Sequence, residues 1–267
     1  MSISPSTILA DLGIPDADGK LSRLIEHPPK EDFLIRTVYK SPETFFRVVA
    51  SVVICSEETR RAFPAAKKHP VQFKKTAENN VHAAGPRGEY EHAKILHKKA
   101  PGRVPEPIAC GEKEYRSEYV PGITLRCLAI RFGLSRPLKT DIPFTPRTPT
   151  EGDLAALWHH AEQATESLRQ VHQAGYIHGD LHLENIIIAP GRAVLVDLET
   201  ARKSHGPEDE NADFGNLKSF ARKLLNAGAQ PPKDSVLLKI VNEEDPPLAA
   251  HTPPHSNITR RAVALNV

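Results

Sequence analysis

The stretch that most constrains this chain is residues 176–199, YIHGDLHLENIIIAPGRAVLVDLE. Two apolar runs, Ile186 to Ile188 and Ala193 to Val196, flank Pro190-Gly191. That pattern reads as two short strands joined by a tight hairpin turn. Asp180 and Asn185 lie in the loop before the first strand, and Asp197 ends the second, 17 residues after Asp180. The hairpin folds the chain back, so Asp197 is expected to face Asp180 and Asn185. Upstream lies the clearest helix. Thr150 and Asp153 form a capping pair. Leu154, Leu157, Trp158, Ala161, Thr165, Leu168 and Val171 then trace one helical face, with Gly175 as the stop.

Elsewhere the pattern is sparser. Residues 1–40 are polar with scattered prolines and read as an extension holding one short helix. Residues 43–55 are rich in β-branched and aromatic side chains and predict one or two strands, followed by a short strand at Val71 to Lys74. A helix is expected over 88–99, with Glu89, Ala93, Leu96 and Ala100 on one face, stopped by prolines at 101, 105 and 107. Tyr115 to Val120 predicts a strand. Residues 133–152 are rich in proline and read as a loop or insertion. A last helix is expected over 213–226 with Leu217, Phe220 and Leu224 inward, and beyond Gly228 paired prolines predict that much of the tail is irregular.

Composition excludes several classes. Thirty-five basic against 33 acidic residues leave a net charge of +2, so no concentrated nucleic-acid-binding face is indicated. Cys55, Cys110 and Cys127 share no C-x-x-C spacing, which argues against a zinc site or a disulfide framework. The N-terminus lacks a secretory pattern, and no apolar run approaches the roughly 20 residues that span a bilayer. An intracellular, cytoplasmic setting is the expectation. The 24 prolines outnumber 15 glycines, and no glycine lies between Gly19 and Gly85. A glycine-rich phosphate loop is therefore missing from that interval.

The residues around the hairpin carry a specific chemistry. Phosphoryl transfer from a nucleotide needs a carboxylate that orients and accepts the proton of the attacking hydroxyl. It also needs an amide oxygen and a second carboxylate to hold Mg²⁺ over the phosphates. Asp180, Asn185 and Asp197 are that set. Here the chain resembles the protein-kinase-like superfamily: HGDLHLEN is similar to the catalytic loop H-R-D-L-x-x-x-N, and LVDLE to the metal-binding D-F-G strand end. The resemblance covers about residues 45 to 226 and implies that Asp180 is the catalytic base, Asn185 and Asp197 the Mg²⁺ ligands, and His178 a structural brace. Asp213-Phe214-Gly215 spells D-F-G literally, but no strand precedes it. Its expected role is that of the helix aspartate that braces the catalytic-loop backbone in this superfamily.

Departures narrow the subclass. Gly179 replaces the arginine, His182 stands two residues after Asp180 where Ser/Thr protein kinases carry lysine, and Leu198-Glu199 replaces Phe-Gly. These features resemble the aminoglycoside and choline phosphotransferases. Only 15 residues separate Asp197 from Asp213, an economy shared with lipopolysaccharide and RIO-like kinases. In the first half, Val71-Gln72-Phe73-Lys74 resembles V-A-I-K, which makes Lys74 the first choice for the nucleotide lysine and Lys75 the second. Glu89 is the preferred helix partner, with Glu91 the alternative. Glu118-Tyr119-Val120 would form the hinge that reads adenine through backbone groups, and phosphates would rest on a glycine-free turn near Cys55 to Arg61 or be held poorly. His178 and His182 have a zinc-like spacing, but Gly179 and Asp180 between them favour a loop. Other histidines, including His92, are expected at ordinary surface or edge positions, and Trp158 in the core.

The implied fold is α+β with two lobes: an N-lobe over 41–120 after the 1–40 extension, a helical C-lobe over 121–228, and a tail over 229–267. The implied function is an ATP- and Mg²⁺-dependent phosphotransferase acting on a hydroxyl of a protein or small molecule. The alternative is a pseudokinase, a nucleotide- or partner-binding module without turnover.

Overall fold

A computed structural model describes residues 4–11, 14–40, 48–77, 85–136 and 146–242. The first part contains helices α1 (Pro5–Asp11) and α2 (Lys20–Glu26), strands β1 (Phe33–Lys40) and β2 (Val48–Ile54), and short helices α3 (Glu57–Ala62) and α4 (Pro64–Lys68). Strand β3 (Val71–Ala77), helix α5 (Gly85–Lys99), and strands β4 (Pro107–Cys110) and β5 (Glu114–Glu118) follow. Next come β6 (Ile123–Thr124), α6 (Leu125–Arg131), α7 (Glu151–Gln173), β7 (Tyr176–Ile177), and the hairpin β8 (Ile186–Ala189) and β9 (Arg192–Leu195). Strand β10 (Arg202–Lys203) and helices α8 (Pro207–Asp213), α9 (Gly215–Asn226) and α10 (Val236–Asn242) complete the order. The fold class is thus the expected mixture of helices with antiparallel strands.

Five strands form an antiparallel sheet in the order β1-β2-β3-β5-β4. Side chains alternate across a strand. Val71, Phe73 and Lys75 therefore share one face of β3, and Gln72, Lys74 and Thr76 the other. The register places Lys75 between Ala50 and Tyr115, and Lys74 between Ser51 and Arg116. Tyr115 is buried in the main core with Ala93 and Leu96 of α5, so the Lys75 face is the one turned inward.

The expected faces of the helices are found. Glu89, Ala93 and Leu96 are buried along α5, as is Ala100 just past its end, and the whole stripe from Leu154 to Val171 is buried along α7. Burying each such leucine or valine contributes about 1.5–3 kcal/mol. At the start of α7, the Thr150 hydroxyl accepts from Asp153 N and the Asp153 carboxylate accepts from Thr150 N, a reciprocal capping box. The hairpin also forms as expected, with Ala189 opposite Arg192 across Pro190-Gly191. Trp158 is in the core and donates to Ser235 Oγ.

Three expectations need correction. The first 40 residues are more than an extension with one helix: Leu9, Ile14 and Ile25 from α1, α2 and their connection pack on Val52, Ile54 and Val71, and β1 is one of the sheet's two edge strands. The alternation of Phe33 and Ile35, both packed against that cluster, is the local reason. The helix expected over 213–226 begins at Gly215, because Asp213 closes the separate helix α8. The tail past Gly228 contains α10, seated because Glu162 accepts from Val236 N and Ser235 Oγ accepts from Leu238 N. Parts of three other expectations lie outside the described residues: 43–47 of the strand region, 137–145 of the insertion and 243–267 of the tail. Among the described residues, no helix is long and apolar enough to cross a membrane.

Candidate active site

The loop before the hairpin is held by a buried carboxylate. Asp213, at the end of α8, accepts from His178 N at 2.7 Å and Gly179 N at 3.0 Å, and lies 3.0 Å from His172 Nε2. Burial alone would raise the Asp213 pKa, but these bonds outweigh it and hold the carboxyl below its ordinary value. The literal D-F-G aspartate is therefore a brace, as its helical setting suggests. His178 is buried and its Nε2 donates to the Val196 carbonyl, 2.9 Å away, tying the loop to the end of β9. Its Nδ1 is buried without a partner. Burial lowers the His178 pKa, because a charged ring would leave an unpaired N–H in the interior.

Gly179 follows in a left-handed conformation, φ 83°. Asp180 and His182 then project outward, half exposed, with His182 Nε2 2.8 Å from Asp180 Oδ1. Asn185 Nδ2 donates to the Asp180 carbonyl at 3.0 Å, which directs the amide oxygen away from the loop backbone. Asp197 has φ 63°, the one positive φ at a non-glycine among the described residues. Such conformations cost about 1–3 kcal/mol and cluster where a side chain must be aimed.

Asp197 is aimed at Lys75. Lys75 Nζ donates to Asp197 Oδ1 at 2.7 Å, Glu89 Oε2 at 2.8 Å and Glu199 Oε2 at 3.3 Å. One ammonium thus joins β3, α5 and the turn after β9. Burial would lower the Lys75 pKa, but Glu89 and Asp197 outweigh it and raise it, so the lysine stays charged. Burial raises the pKa of Glu89, with Asp197 and Glu199 adding to the effect and Lys75 opposing it. Glu89, Asp197 and Glu199 offer oxygens within 4.8 Å of one another, and the cation among them is the lysine. Three carboxylates against one ammonium leave surplus negative charge at the exposed Asp197 end.

Lys74, the first choice from the sequence, is not in this group. It pairs with Glu114 at 2.8 Å and Asp32 at 3.8 Å on the opposite face of the sheet. The physical reason is strand alternation: a lysine in phase with Val71 and Phe73 faces inward, whereas Lys74 is in phase with Gln72. That phase was the available signal for Lys75. Glu91 is exposed and Glu89 buried, which separates that pair. Glu199, two residues after Asp197, was not singled out.

The segment Glu118 to Val120 links the sheet to the hairpin. The Glu118 side chain lies 3.3 Å from Arg192 and accepts from Glu106 N, while Glu118 N donates to the Glu106 carbonyl. Val120 packs on Ala189 and Val194. The expected phosphate turn near Cys55 to Arg61 is instead a structural corner: Ser56 caps α3, and Arg60 donates to the Ile25 carbonyl. It follows the far end of β2 from the β1–β2 connection, residues 41–47, which lies outside the described residues. His92 reaches the Leu198 carbonyl at 3.1 Å and steadies the turn that carries Asp197 and Glu199.

Residues 129–205 match the phosphotransferase enzyme family. The chain is also similar to the RIO-type serine/threonine-protein kinase Rio1 of Haloferax volcanii, 35% identical over 83 residues. That similarity covers 31% of this chain and 29% of the relative, so the chain spans under a third of the relative's length. The matched family segment contains the loop that Asp213 braces, Asn185 and the hairpin leading to Asp197. Over these segments the chain is similar to phosphotransferases of the protein-kinase-like kind.

Proposed function

We propose that the chain is an ATP- and Mg²⁺-dependent phosphotransferase with a two-lobed arrangement. The small lobe is the five-stranded sheet with α5, and the helical lobe runs from about residue 121. The observation that carries the reading is Lys75 held between Glu89 and Asp197. A fixed ammonium beside an exposed carboxylate suits the phosphates of a nucleotide and their counter-ion.

The donor set fits Mg²⁺, a hard cation that takes oxygen ligands. Asn185 would offer its amide oxygen, since its Nδ2 is committed to the Asp180 carbonyl, and Asp197 its exposed carboxylate. When bound, the ion supplies charge neutralisation at the phosphates. Lys75 holds the phosphates in place, with Glu89 keeping the lysine oriented. Glu118 to Val120 offer backbone groups at the nucleotide's base end. Asp180 accepts the proton of an acceptor hydroxyl. The new bond forms between that oxygen and the γ-phosphorus, the bond to the β,γ-bridging oxygen breaks, and ADP leaves.

The acceptor is a hydroxyl of a small molecule or a protein. His182 in place of lysine favours the former, and the similarity to a protein kinase favours the latter. A second reading, binding without turnover, is favoured by the lack of any glycine between Gly19 and Gly85. Phosphate release from MgATP distinguishes them. The phosphotransferase reading expects turnover in the wild type that Asp180→Asn and Asp197→Ala abolish. Equal rates in all three proteins contradict it.

A further inference from the structure

Two contacts beside Asp180 form a chain that the reaction described above does not use. Asn216, at the start of α9, donates from Nδ2 to the Leu181 carbonyl at 2.9 Å, which identifies that atom as the amide nitrogen. The same nitrogen lies 3.2 Å from His182 Nδ1. A donor facing Nδ1 requires a lone pair there, so the proton of the neutral ring sits on Nε2. Nε2 is the atom 2.8 Å from Asp180 Oδ1. Among the described residues, His182 is the side chain that holds the Asp180 carboxylate, which is otherwise half exposed and free to rotate.

We propose that His182 is the positioning residue for Asp180, with its tautomer set by Asn216. The inference rests on the phosphotransferase reading and deepens it. One carboxylate oxygen, Oδ1, is occupied by the His182 N–H, so the other is presented to the acceptor hydroxyl. The logic is that of any base oriented through a third group: a fixed donor selects the lone pair and the angle at which the proton is taken. His182 touches neither Lys75 nor Asp197, so nucleotide affinity lies outside its reach.

The test is MgATP turnover, read as phosphate release with water as acceptor, together with the melting temperature of each variant. His182→Ala is expected to lower kcat by about tenfold or more, the usual scale for losing an orienting partner. KM for ATP and melting temperature stay at wild-type values. His182→Gln, which keeps a side-chain N–H donor, recovers part of kcat, and Asn216→Ala lowers kcat less than His182→Ala. Wild-type kcat in His182→Ala, or a loss confined to KM, overturns the proposal. Asp180→Asn runs alongside: if it is inactive while His182→Ala is unimpaired, the positioning role fails and the phosphotransferase reading stands. If Asp180→Asn matches the wild type, the phosphotransferase reading itself fails. Nitrogen-15 spectra of the His182 ring give a readout that needs no turnover. The Nε2-protonated form is expected in the wild type and a tautomer mixture in Asn216→Ala; an Nδ1-protonated wild-type ring overturns the proposal.

Discussion

Gly179 faces the backbone of Thr200 so closely that a β-carbon at residue 179 would lie 2.6 Å from the Thr200 carbonyl oxygen. The position where protein kinases carry arginine is here closed to any side chain, because the turn after Asp197 packs directly on the loop before Asp180. The Thr200 hydroxyl also donates to the His178 carbonyl at 3.0 Å. Loop and turn thus form one unit. Gly179→Ala is expected to cost about 1–3 kcal/mol from its φ of 83° alone, with the contact adding to it. Calorimetry should show a lowered melting temperature, and turnover should fall because both Asp180 and Asp197 shift.

Asp213 predicts a pH-dependent stability. Its folded pKa lies below the unfolded value, so its contribution is present above an ordinary carboxylate pKa, about 4, and is lost as pH falls through the folded value. Asp213→Asn leaves one of the buried N–H groups facing an amide and should cost about 1–3 kcal/mol at neutral pH. In denaturant titrations, the gap between the variant and the wild type should hold from about pH 8 to 5 and close below about pH 4.

Cys55 should be chemically silent. It is fully buried, and burial pushes its thiol up to about 12. Alkylation at about pH 8, where an exposed thiol of ordinary pKa reacts, should leave Cys55 unmodified in the folded protein. Denaturation should expose it to labelling, as mass spectrometry of peptides would show.

Much of the helical part was legible in the sequence because its periodicities are long. The stripe from Leu154 to Val171 and the hairpin around Pro190-Gly191 each carry enough residues to define a face. The sheet was harder. Strand β4 has only four residues among prolines, and α6 has seven, too short for a period to show. The lysine preferred from the motif lies one residue away from the one in the cluster, and in a strand one residue reverses the face. The positions of Asp180, Asn185 and Asp197 around the hairpin were legible from its turn and its two apolar runs. The Asn216–His182 contact was not, since 34 residues of chain separate the partners and only the packing of α9 brings them together.

Lys75 and Lys74 offer the most direct test of the site, since they are chain neighbours on opposite faces of β3. Calorimetric titration with MgATP should give an affinity for Lys75→Met about tenfold or more below the wild type, the scale of a lost charge-assisted bond. Lys74→Met should bind as the wild type does. Wild-type affinity in Lys75→Met, or a loss in Lys74→Met alone, would contradict a nucleotide site built on the Lys75–Glu89–Asp197 cluster.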